Sequence, residues 1–105
     1  QLWSVSPNGG PPRQITRDPW DVGSTFTWNK DGTAIAYIAD GSVMVVNAAT
    51  GESRRLTEQP AADQPAPRPE ACVFSPDGRQ IAFVRPVRGS DGSTWNQVFV
   101  VEAAP

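Results

Sequence analysis

The residues able to do chemistry are few, and most have a structural reason to be where they are. The 105 residues include no histidine, which removes Ser-His-Asp and Cys-His nucleophile activation and the commonest zinc ligand. Neither a Gly-x-Ser-x-Gly elbow nor a phosphate-cradling glycine-rich loop is present. Asp31-Gly32, Asp40-Gly41 and Asp77-Gly78 read as turn pairs and not as halves of a calcium site. The lone Cys72 cannot form an internal disulfide and is expected as a buried apolar thiol. What remains is Trp20 and Trp95, large apolar groups in polar surroundings near Asp21, Arg88 and Asp91, with Arg68 in a proline-rich stretch. Aromatic and arginine side chains are common interface anchors, so these six residues are the candidate partner-binding set. The alternative is that both tryptophans fold back and cap the end of the structure. The segment Asp91 to Asn96 offers oxygen ligands and a glycine but lacks the dense carboxylates of a calcium loop. No metal, no cofactor and no self-contained enzyme are expected.

Composition narrows the partner classes. Eleven acidic residues face nine basic ones, and Arg54-Arg55 is the sole adjacent basic pair, so a nucleic-acid partner is not expected. No apolar run approaches the roughly 20 residues of a membrane-spanning helix, and Gln1 opens no signal-like segment. Eleven prolines and nine glycines suit short strands joined by tight turns.

The elements that position these residues are written twice. Phe26-Thr27-Trp28-Asn29-Lys30-Asp31-Gly32-Thr33-Ala34-Ile35-Ala36-Tyr37 returns 46 positions later as Cys72-Val73-Phe74-Ser75-Pro76-Asp77-Gly78-Arg79-Gln80-Ile81-Ala82-Phe83. A second repeat, at an offset of 41, relates Leu2-Trp3-Ser4-Val5, Gly10 and Ile15-Thr16 to Val43-Met44-Val45-Val46, Gly51 and Leu56-Thr57. Repeats near 40–45 residues point to four-stranded propeller blades. Strands are expected over 2–6, 13–16, 25–28, 34–39, 42–47, 53–57, 71–74, 80–85 and 97–102. Labelled A to D outward from the axis, they run C and D of one blade (1–17), a complete blade (18–57), a proline-rich connection (58–70), then strands A to C (71–105). Ile35 to Ala39 and Val43 to Val46 are apolar at consecutive positions, so both faces must be covered, which favours blades over a nine-stranded sandwich.

Turn chemistry agrees with this register. Pro76 presets φ for a type I turn, Asp77 follows and Gly78 takes the left-handed position, while Asp31-Gly32 repeats the pattern without proline. Asp40-Gly41 closes a hairpin and Gly51 opens the turn before strand D. The A–B and C–D turns then share one rim. The other rim carries the irregular sequence 17–24, 58–70 and 86–96, where a rigid scaffold usually places recognition.

The stretch Phe74-Ser75-Pro76-Asp77-Gly78-Arg79-Gln80-Ile81-Ala82-Phe83, followed by Val98-Phe99-Val100-Val101, resembles the Ser-Pro-Asp-Gly, WD40-like repeat of bacterial TolB-like β-propellers. Gly51-Glu52 ahead of Arg55-Leu56-Thr57 resembles that family's blade ending. The resemblance implies an all-β propeller of about two and a quarter blades here, its ring completed by further sequence or by other chains. It also implies a periplasmic or extracellular location and a noncatalytic protein-binding or scaffold role in the bacterial cell envelope. The alternative it carries is a substrate-gating propeller of a prolyl-oligopeptidase-type hydrolase whose catalytic domain is not in this chain. The partner is then another protein, the remaining blades of the same protein, or a second copy.

Overall fold

The computed structural model describes residues 1–23, 26–61, 65 and 72–103. Among them, nine strands follow one another along the chain: β1 (Trp3–Ser4), β2 (Arg13–Gln14), β3 (Thr27–Trp28), β4 (Ala34–Ala39), β5 (Ser42–Asn47), β6 (Ser53–Arg55), β7 (Cys72–Phe74), β8 (Gln80–Arg88) and β9 (Thr94–Glu102). Each pairs antiparallel with its chain neighbour, giving three sheets ordered β1-β2, β3-β4-β5-β6 and β7-β8-β9. Local turn chemistry enforces this. Asp40 and Gly41 both adopt positive φ, 50° and 73°, as the two-residue hairpin turn between β4 and β5 demands. The β3–β4 and β7–β8 turns close through Gly32 N–H to Asn29 C=O (3.1 Å) and Gly78 N–H to Ser75 C=O (2.9 Å).

The central sheet is apolar on both faces. On one, Ile35, Tyr37, Ala39, Met44 and Val46 bury against Leu2 and Ile15 from the β1–β2 end of the chain. On the other, Ala36, Ile38, Val43 and Val45 bury against Cys72, Ile81, Phe83 and Ala103. The register Ala36↔Val45 and Ile38↔Val43 brings the second set onto one surface. The three-stranded sheet meets it with the face that carries Phe83 and Phe99, whose rings stack at 5.8 Å.

The expected β-propeller is not what these strands build. One sheet has four strands, the others have two and three, none pairs with another, and none closes or curls toward a ring. The fold is all-β, three small antiparallel sheets without the stacked four-stranded blades of a WD40-like architecture. The scaffold-propeller and gating-propeller roles attached to that architecture fall with it. The physical reason is that the 46-residue repeat encodes hairpins and their turns, which are local. Ring closure needs sheets repeated around an axis, and the described strands instead lie in a body of 54 × 30 × 24 Å.

A second difference concerns 86–96, expected as an irregular connection. β8 and β9 instead continue their ladder to Arg88↔Thr94, with Pro86 opposite Asn96. Antiparallel alternation turns the missing Pro86 N–H away from β9, toward the side where β7 pairs only as far as Cys72↔Phe83, so no ladder bond is lost. Of the expected strands, 25–28 and 71–74 begin at Thr25 and Ala71, which lie outside the described residues.

Two glycines separate strain from crowding. Gly78 (φ +74°) has open space where a Cβ would sit, whereas at Gly51 (φ +77°) a Cβ would lie 2.6 Å from the Ile15 carbonyl oxygen. Gly78→Ala is therefore expected to lose about 1 kcal/mol from left-handed strain alone. Gly51→Ala should lose a further ~1–3 kcal/mol, because the turn must move off the β1–β2 sheet. Urea denaturation of the two variants checks the order.

Candidate functional site

The densest polar cluster gathers around the β4–β5 turn. Arg55, at the end of β6, donates from Nη2 to Asp40 Oδ2 (2.7 Å) and from Nη1 to the Asp40 carbonyl (3.2 Å) and Ser42 Oγ (2.5 Å). Its guanidinium lies over the Trp20 ring, 5.5 Å from the centroid. Gln59 Nε2 also donates to the Asp40 carbonyl at 3.1 Å. Val22 bridges to Ala39, and Gly23 N–H donates to the Ile38 carbonyl at 2.7 Å, so the segment after Trp20 is stitched along the end of β4. Trp20 is half-buried against the cluster of Tyr37 and Met44, and its Nε1 finds no hydrogen-bond partner among the described residues. Asp21 beside it is exposed.

A second cluster lies just inside. Ser53 Oγ donates to Asp18 Oδ2 (2.8 Å), Tyr37 OH reaches the same oxygen at 3.3 Å, and the two hydroxyls are 3.2 Å apart. Burial, opposed by the Ser53 hydrogen bond and reinforced by the Asp18 charge, raises the Tyr37 phenol above its ordinary range. Three oxygens joined this way tie the 17–23 segment to β4 and β6. Activation of Ser53 as a nucleophile needs a base near neutral pKa, and the chain has no histidine to supply one. No group of three or more His, Cys, Asp or Glu side chains among the described residues is placed to hold a metal ion.

The candidates from 86–96 sit elsewhere. Arg88 is exposed at the end of β8, and Asp91 lies in the turn between β8 and β9. The Asp91 carboxylate accepts from Ser93 Oγ (2.6 Å) and Ser93 N–H (2.9 Å), and these bonds hold its pKa below the usual carboxylate range. Asp77 is held low in the same way by the Ser75 hydroxyl and the Arg79 N–H. Trp95 stands in β9 opposite Val87, 48% exposed, with its ring so close to Gly89 that a Cβ there would approach it to 2.8 Å. Trp20 thus packs on the central sheet, whereas Trp95 belongs to the three-stranded one. Arg68 lies outside the described residues, as do Pro67 and Pro69 of the proline-rich segment. Sequence reasoning passed over Asp18, Tyr37, Ser53 and Arg55. Arg55 carried one usable signal, its place just ahead of Leu56-Thr57, the counterpart of Ile15-Thr16.

The other conspicuous surface is apolar. On the outer face of the three-stranded sheet, Val73, Ala82 and Val100 share one cross-strand row and Val84 and Val98 the next. Val73, Val98 and Val100 are 54%, 65% and 57% exposed. Trp3 and Val5 on the β1 side, and Phe26 and Trp28 at β3, are exposed too.

No described helix is long and apolar enough to cross a membrane. Over 84 residues the chain is 39% identical to the Uncharacterized protein YidR of Escherichia coli (strain K12), a match covering 80% of this chain and 20% of that protein. Over 107 residues it is 25% identical to Dipeptidyl-peptidase 5 of Porphyromonas gingivalis, covering 90% of this chain and 15% of that protein. The chain therefore spans a fifth or less of the length of these relatives. No family model matches the chain, so the TolB-like resemblance is not supported as a family assignment. No solved structure matches it.

Cys72 is buried beneath the central sheet, and burial pushes its thiol up to about 12. The folded chain is expected to resist thiol reagents at pH 8 and to react once unfolded in urea, because the thiolate is the reactive form. A thiol pKa raised by folding means that the unfolded state sheds its proton first. Stability should therefore fall as pH rises through 9 toward 12, which denaturation midpoints across that range will read.

Proposed function

We propose that this chain is a noncatalytic packing module whose exposed apolar sheet faces are covered by further β-structure of a longer polypeptide. One comparison of equivalent positions carries the reading. Tyr37↔Met44 and Phe83↔Phe99 are matching pairs of the two sheets, so Val43 and Val45 correspond to Val98 and Val100. Val43 and Val45 are 0% and 8% exposed beneath the three-stranded sheet, whereas Val98 and Val100 are 65% and 57% exposed with nothing described above them. Contiguous apolar surface of this kind marks a site of association. The much greater length of both matched relatives supports a covering element from the same polypeptide. Peptidase chemistry belongs to the P. gingivalis protein's name and is not assigned to this segment. The absence of histidine and the tying role of Asp18, Tyr37 and Ser53 support a noncatalytic part.

Sedimentation velocity tests the face. The chain should associate as its concentration rises, and a Val73→Asn, Val98→Lys double variant should stay monomeric with its stability within about 0.5 kcal/mol per site. A chain that stays monomeric at every concentration, or a variant losing stability on the ~2 kcal/mol scale of a core residue, would overturn the reading.

A further inference from the structure

Among the described residues, strand β9 has one paired edge and one open edge. It runs nine residues, ends its sheet, and pairs with β8 along its whole length. Natural edge strands of this length are usually shortened, bulged, or guarded by lysine or proline. β9 has none of these guards: its sequence is Thr94-Trp95-Asn96-Gln97-Val98-Phe99-Val100-Val101-Glu102, with Glu102 its single charge. By contrast, the other outer strands are short, two residues each in β1, β2 and β3 and three each in β6 and β7, and β6 carries Arg54 and Arg55.

The central sheet shows what occupies the matching edge. There β5 is covered by β6 in the register Met44↔Arg55, Val45↔Arg54 and Val46↔Ser53. The flanking bonds are Leu56 N–H to the Val43 carbonyl (2.9 Å) and Asn47 N–H to the Glu52 carbonyl (2.9 Å). The equivalence of Met44 with Phe99 carries this register to Phe99, Val100 and Val101. The Ala48 N–H, which bonds the Thr33 carbonyl at 2.9 Å, is matched by the Ala103 N–H on the Arg79 carbonyl at 2.8 Å, so the two ladders stay in phase to their ends. In that phase the N–H groups of Val98, Val100 and Glu102 point to the open edge, as those of Val43, Val45 and Asn47 point toward β6.

We infer that the open edge of β9 is a strand-docking site, taking an antiparallel segment of β6 type (Ser-Arg-Arg-Leu-Thr) from the same longer polypeptide. Main-chain hydrogen bonds would give this contact its strength, and the alternate side chains its register. It does not rest on the face-packing reading. The edge pairs through backbone and the face through side chains, and Val73→Asn with Val98→Lys leaves the edge backbone in place.

The test extends the chain with its own covering strand, replacing Ala103–Pro105 by a second copy of residues 48–57. Amide hydrogen exchange of Val98, Val100 and Glu102 should slow at least about tenfold relative to the unextended chain. The same extension carrying Leu56→Pro in the copy, which cannot donate to the Val98 carbonyl, should show much less slowing and leaves the folded sheets unaltered as the control. Equal exchange at these three amides in both extended chains overturns the proposal. So does an unextended chain that is dimeric by native mass with the three amides already protected, since a second copy would then hold the edge.

Discussion

The central hairpin, β4 joined to β5, is apolar on both faces, and this sets what every other element must do. Ile35 to Ala39 and Ser42 to Val46 are buried without a break. Burying one such large apolar side chain contributes about 1.5–3 kcal/mol, against a total stability of about 5–15 kcal/mol for an ordinary domain. A hairpin left with one bare face would forfeit enough of that total to be unstable. Two covers are therefore required. Leu2 and Ile15 supply one, and Cys72, Ile81 and Phe83 supply the other. The first is narrow, and the second brings a sheet whose far side is itself apolar.

The polar clusters are consistent with this division. Arg55 satisfies Asp40 and Ser42 while lying over Trp20, at an end of the sheet where the apolar covers stop. Its ion pair with Asp40 is a third exposed on each side, and surface pairs of that kind contribute at most about 1 kcal/mol. Its value is positional: it fixes the turn and lies over the Trp20 ring, which packs on the cluster that includes Tyr37 and Met44. Asp18, reached by Ser53 and Tyr37, does the same one layer inward, giving the buried phenol a partner that burial would otherwise deny it.

What could be read from the sequence follows the range of the interactions. β4 and β5 have the expected bounds because consecutive apolar residues and an Asp-Gly turn are local signals. The Asn29 and Ser75 turns were legible for the same reason: each side chain reaches the amide that starts the next strand, Asn29 Oδ1 at Ala34 N–H and Ser75 Oγ at Gln80 N–H. How the sheets are arranged was not legible, since it depends on which faces meet and no turn encodes that. Pro86 and two glycines made 86–96 look like a loop, although the proline sits where its ladder bond is not needed. Asp18 and Ser53 lie 35 positions apart, and neither carries a motif that announces the other.

The two repeated sheets are exposed in reciprocal places, and that pattern separates residue type from surroundings. At the first strand of each, Phe26 is 57% and Trp28 45% exposed, while the equivalent Cys72 is 2% exposed and Phe74 packs against the core. At the third strand the order reverses, with Val43 and Val45 buried and Val98 and Val100 open. Every one of these positions is apolar, so hydrophobicity does not decide which is covered. Coverage follows the neighbours: the β1–β2 end of the chain buries Ile35, Tyr37 and Val46 but leaves Trp28 half exposed, and nothing described lies over Val98 and Val100. Apolar residues at all of these places are accounted for if each repeated sheet is built to be covered on both sides, including the sides left open among the described residues. A sheet evolved to face water on one side would alternate polar with apolar, as a half-solvated antiparallel sheet does, and the Val73, Ala82, Val84, Val98 and Val100 surface does not.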